Sequence, residues 1–155
     1  MHYEGARQIM ARILLAEADD CASRIISVYV ERRGHQVVCA RDGEVAVREI
    51  SRFRPDLVLS ELILPMRSGF DILAAVQHLG LASSTPVIFV TAVASEQMID
   101  RALGQGAIDY IVKPFNLRDL ALSADLALAQ RRAINAPDKT RGAHGLRGGQ
   151  LAEVA

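Results

Sequence analysis

Five short apolar runs, Ile13–Ala16, Val37–Ala40, Leu57–Leu59, Val87–Val90 and Tyr110–Val112, recur along the chain, each followed by a segment of helical length. Four of the five are rich in β-branched residues, and each is nearly continuous rather than alternating. A strand that is apolar on both faces belongs in a parallel sheet with helices packed on either side. The intervening segments carry the helical period. Ala22, Ile25, Ile26 and Tyr29 recur at three- and four-residue spacing between Cys21 and Arg33, and Gly34 supplies a stop. Gly43 to Phe53 repeats the pattern behind Asp42 as N-cap, Phe70 to Leu79 ends at Gly80, and Ser95 to Leu103 ends at Gly104. The last helix starts after Asn116 and runs to about Arg131. Strand and helix alternating five times predict an α/β fold, a doubly wound parallel sheet built from right-handed crossovers. In such sheets ligands bind outside the carboxyl ends of the strands, which directs attention to the residues just after them.

Composition narrows the function. The 155 residues carry 18 basic and 18 acidic side chains, so net charge favours no polyanionic partner, and neither nucleic acid nor membrane is expected to bind. The first apolar run stops at Glu17, too short for a signal-peptide core or a membrane span, so a cytoplasmic location is expected. Cys21 and Cys39 lie far apart with no metal-ligand spacing and are read as small buried hydrophobes. The expected organisation is a flexible leader over residues 1–10, one folded domain over 11–131, and a disordered tail over 132–155 with no output domain. The tail is rich in Gly and in small or polar residues and lacks apolar periodicity.

Four groups stand at the strand ends. They are Glu17-Ala18-Asp19-Asp20, Ser60-Glu61, Thr91-Ala92 and Lys113-Pro114. Carboxylates, a hydroxyl and an ammonium converging on one rim suit a phosphoryl group and a hard cation. The chain holds sixteen arginines and two lysines, so a lysine at position 113 suggests a need for a compact point charge. Pro114 is a candidate for a cis peptide bond that would fix the lysine's loop. Each residue also has a plain structural reading: surface carboxylate, strand-end cap, exposed cation.

With these motifs in view, the stretch from Arg12 to Leu120 resembles a response-regulator receiver domain of two-component signalling. The likeness lies in the acidic cluster after the first strand, PDLVLSELILPMRSG, VIFVTA and GAIDYIVKPF. Thirty residues separate Glu61 from Thr91 and twenty-two separate Thr91 from Lys113, as in that family. The resemblance implies a flavodoxin-like receiver fold with strand order 2-1-3-4-5. It places Glu61 at the phospho-acceptor position, Thr91 and Lys113 as phosphoryl contacts, Tyr110 as the aromatic that follows the hydroxyl, and the Ile63 carbonyl as a backbone ligand for magnesium. It also implies partners, namely a sensor kinase, a phosphotransfer protein or another regulator, through helix 4, strand 5 and helix 5, around Gln97–Arg101 and Leu117–Leu128, with a homodimer through the same face.

Two departures change the expected chemistry. The family's acceptor is an aspartate, and Glu61 is one methylene longer, which moves its carboxylate by roughly 1.5 Å. A misplacement of about 1 Å can cost on the order of a hundredfold in transfer rate. The second of the family's paired acids is Ala18 here, leaving Glu17 and Asp19 as a weak acidic pocket in which magnesium should bind poorly. The expectation is therefore an atypical, non-enzymatic receiver acting by protein–protein interaction, with Glu61 as a fixed negative charge reaching toward Thr91 and Lys113. The alternatives are a conventional phosphorylatable receiver and a flavodoxin-like cofactor carrier. The latter lacks a phosphate-cradling loop after the first strand, where three acids stand instead.

Overall fold

The computed structural model describes residues 10–135. Five strands, β1 (Arg12–Ala16), β2 (Gln36–Ala40), β3 (Leu57–Ser60), β4 (Val87–Thr91) and β5 (Asp109–Val112), alternate with α1 (Asp20–Arg32), α2 (Gly43–Phe53), α3 (Gly69–His78), α4 (Glu96–Gly104) and α5 (Leu117–Asn135). All strand pairs are parallel, in the order β2-β1-β3-β4-β5. The expected doubly wound sheet and its order are therefore observed.

Local chemistry sets the boundaries. Asp19 and Asp42 accept hydrogen bonds from the amides of Ala22 and Val45 and open α1 and α2. Ser68 and Asp71 form a reciprocal capping box on α3, Ser95 caps α4, and the Asn116 side chain accepts from Arg118 N–H at the start of α5.

The sheet separates two cores. On one face Leu14, Val58 and Phe89 pack with Ala46 and Ile50 of α2, Ile72 and Val76 of α3, and Ala102 of α4. On the other, Ile13, Leu15, Leu59 and Ile88 pack with Ile26 and Val30 of α1 and Leu120, Ala124 and Leu128 of α5. Central β3 and β4 are buried throughout, which is why they are apolar up to the final Ser60 and Thr91.

Two expectations need correction. Cys21 and Cys39 are both exposed free thiols. Cys39 lies on β2, an edge strand whose burial falls away with no neighbour beyond it, and Cys21 sits in the first turn of α1. The predicted tail begins too early, because α5 continues to Asn135. Its last turns are anchored where the Arg131 guanidinium donates to Ser84 O at 2.5 Å and pairs with Asp56 at 2.8 Å. The leader up to residue 9 and the tail from 136 lie outside the described residues. Among the described residues no helix is long and apolar enough to cross a membrane.

Candidate functional site

Each site residue is carried one step past a strand by an extension of the ladder. Glu17 N–H donates to Ala40 O at 3.0 Å, Glu61 N–H to Ala16 O at 2.9 Å, and Lys113 N–H to Thr91 O at 2.8 Å. The three side chains then meet. Lys113 Nζ lies 3.0 Å from Glu17 Oε1 and 3.1 Å from Glu61 Oε2. Glu17 is buried, with 5 % side-chain exposure, against 13 % for Glu61 and 24 % for Lys113. One ammonium thus serves two carboxylates in a largely buried site, where such charge-assisted bonds are short and strong.

The extra methylene of Glu61 lets its carboxylate turn back over its own loop. Oε1 accepts from Leu62 N–H at 2.8 Å and from Ile63 N–H at a longer 3.4 Å, while Oε2 faces Lys113. Both oxygens are committed. The β3–α3 loop that supplies these amides is itself clamped. Gly69 N–H donates to Leu62 O, and Gly43 N–H at the start of α2 donates to Pro65 O. Arg67 pairs with Glu44 across the same contact, and Met66 holds a left-handed φ of 71°.

The remaining predicted residues are placed as follows. Thr91 is buried, and its Oγ1 accepts from Val93 N–H at 3.3 Å. It does not bond Glu61, so the anticipated reach of Glu61 toward Thr91 is corrected: the carboxylate finds nearer donors in Leu62, Ile63 and Lys113. Tyr110 is half-buried, stacks edge-on against Phe89 at 6.3 Å, and donates its hydroxyl proton to Val93 O at 2.6 Å. Thr91 and Tyr110 therefore hold the same β4–α4 turn from two sides. The Lys113–Pro114 bond is cis. Asp19 faces the α1 amides as its N-cap, and Asp20 pairs with Arg41. The Ile63 side chain is 72 % exposed.

The side-chain oxygens that would hold a magnesium ion are otherwise engaged or missing. Glu17 and Glu61 already share an ammonium, Ala18 brings no oxygen, and Asp19 is spent on a helix cap.

Burial pulls the Lys113 pKa down, but the hydrogen bonds and charges of Glu17 and Glu61 outweigh this and leave it above its ordinary 10.5. Burial, and then the Glu61 charge, push the Tyr110 phenol above its ordinary 10.0. For both groups the folded state holds its proton longer than the unfolded chain. Their contribution to stability is complete below the ordinary values of 10.0 and 10.5 and is lost as pH rises through the folded ones. Urea midpoints measured at a series of alkaline pH values should fall above pH 10, and Tyr110→Phe should flatten the first part of that fall.

A doubly wound sheet with an acceptor-position carboxylate, a strand-end hydroxyl and a lysine followed by a cis proline defines a receiver-type signalling module. Residues 13–125 match the response regulator receiver domain family, and the chain belongs to it. It is 31 % identical over 126 residues to the transcriptional regulatory protein PdtaR of Mycobacterium tuberculosis, covering 81 % of this chain and 60 % of that protein. It is 33 % identical over 117 residues to the regulatory protein AtoC of Escherichia coli, covering 76 % of this chain and 25 % of that protein. The chain thus spans less than two thirds of either relative's length. Among solved structures, the signal receiver domain of a putative Luxo repressor protein from Vibrio parahaemolyticus superposes with a TM-score of 0.77 at 28 % identity, covering 82 % of this chain and 96 % of that one. A CheY-like receiver domain protein from Methanospirillum hungatei superposes at 0.75 with 26 % identity, covering 81 % and 98 %.

The clamp amides of Leu62 and Ile63 went unseen in the sequence because they are backbone groups. The Glu17–Lys113 pair could have been found, since both residues follow strands that end on one rim.

Proposed function

We propose that this receiver is atypical: it does not cycle through an acyl phosphate and acts by binding other signalling proteins, with Glu61 in the acceptor's place. The observation that carries this reading is the closure of Glu61, one oxygen facing Lys113 and the other facing two amides. An acceptor must present an oxygen lone pair in line with an incoming phosphorus, and an acceptor-side metal must offset the developing charge. Here the lone pairs are engaged and the metal's donor set is reduced. The fixed charge of Glu61 against Lys113 occupies the relation that a phosphorylated acceptor would create, although a carboxylate carries less charge than a phosphoryl group.

The effect is delivered through the face of α4, β5 and α5. Ile108 and Leu126 line a common groove there, and Leu122 and Leu126, one turn apart, are 60 % and 57 % exposed. A kinase, a phosphotransfer protein, another regulator or a second copy of this chain are the partner classes for that face.

Magnesium titration tests the reading. Followed by the amide resonances of residues 17–19 and 61–63, the native protein should show no saturable shift at physiological magnesium. Tight, saturable shifts at those amides would favour a conventional phospho-accepting receiver.

A further inference from the structure

At the opposite edge of the sheet from Glu61, where the strands begin, a cavity of about 200 Å³ is lined by Arg12, Arg54 and Arg131 together with Asp56, Ser84 and Thr85. We propose that this arginine pocket is a binding site for a small phosphate-type oxyanion, either the free ion or the phosphoryl group of a small phosphomonoester.

The charge balance carries the argument. Three arginines and one aspartate line one cavity, in a chain whose net charge is zero. Cations gathered around one cavity repel one another, and an anion between them relieves that repulsion. Asp56 is already committed on both oxygens. Oδ1 takes Arg131 at 2.8 Å and Oδ2 takes the Arg12 backbone N–H at 2.8 Å. It therefore offsets about one of the three cations.

Two of the guanidiniums are also positioned in advance. Arg12 donates to Arg54 O at 2.5 Å and lies over the Phe53 ring with its Cζ 5.4 Å from the centroid. Arg131 is held by Ser84 O as well as by Asp56. Each keeps further N–H donors unspent, since a guanidinium carries five. Arg54 is different. It caps α2 in the left-handed region at φ 53°, and its exposed side chain has no hydrogen-bond or ion-pair partner among the described residues. An ionic lock between α5 and the sheet explains Arg131 and Asp56 but gives Arg54 no task. A tetrahedral oxyanion does, because planar guanidinium forks pair with phosphate oxygens two at a time.

The test is calorimetric titration of the full chain with inorganic phosphate and, separately, with adenosine monophosphate, at fixed ionic strength. Two variants accompany it. Arg54→Gln removes the unpaired guanidinium, and Arg52→Gln removes a nearby arginine of the same helix end that does not line the cavity. Saturable binding is expected in the native protein, weakened about tenfold by Arg54→Gln and unchanged by Arg52→Gln. Tighter binding of phosphate assigns the free ion, and tighter binding of the nucleotide assigns a phosphomonoester. No saturable binding of either, or an equal loss in the two variants, would overturn the proposal, because a diffuse basic surface would respond to both arginines alike.

Discussion

Replacing Lys113 by methionine should lower stability by about 3 kcal/mol, because it leaves Glu17 and Glu61 facing each other in a mostly buried site with no cation between them. The cost comes chiefly from the stranded charges and not from the loss of attraction. The double variant Lys113→Met/Glu61→Gln should therefore recover much of the deficit, since only Glu17 then stays charged. Urea unfolding of the native protein, both single variants and the double variant gives the coupling energy directly. If Lys113→Met unfolds at the native midpoint, the three groups do not form the ion triad described.

A comparable loss is expected from a residue with no side chain. A Cβ built on Gly43 would lie 2.0 Å from Arg67 O and 2.7 Å from Arg67 Cβ. Neither neighbour can withdraw, because the backbone of Pro65 accepts from Gly43 N–H and so holds the loop against α2. Gly43→Ala must push the β3–α3 loop outward, at a cost on the order of 3 kcal/mol, and the loop carries the amides that hold Glu61. Two readouts are expected to move together: the unfolding midpoint and the amide resonances of Leu62 and Ile63. The same loop offers the opposite sign at Met66, where glycine would relieve the left-handed backbone strain.

The fold was legible because each strand is an uninterrupted apolar run and each helix carries its own cap. Asp42, Ser95 and Asn116 mark helix starts in the sequence as they do in the structure. Edge position was not legible. Cys39 reads like any residue of an apolar strand, and its exposure follows from strand order, a long-range property. The extra length of α5 was hidden for the same reason, since Arg131 is anchored by Ser84 and Asp56, 47 residues away in the case of Ser84. At the site, Glu61 and Lys113 were visible by their place after strands. What escaped was how Glu61 spends its second oxygen, because backbone amides leave no mark in a sequence. Glu17, read as part of a metal pocket, proves to be the nearer partner of the lysine.

The claim that Glu61 is closed to phosphoryl transfer can be weighed directly. The native protein and the variant Ala18→Asp/Glu61→Asp are mixed with a small phosphodonor and magnesium, and their intact masses are measured. The native chain should keep its mass while the variant, which regains the shorter acceptor and the second acid, acquires a phosphoryl group. A stable phosphoryl adduct on the native chain that Glu61→Gln abolishes would contradict the account.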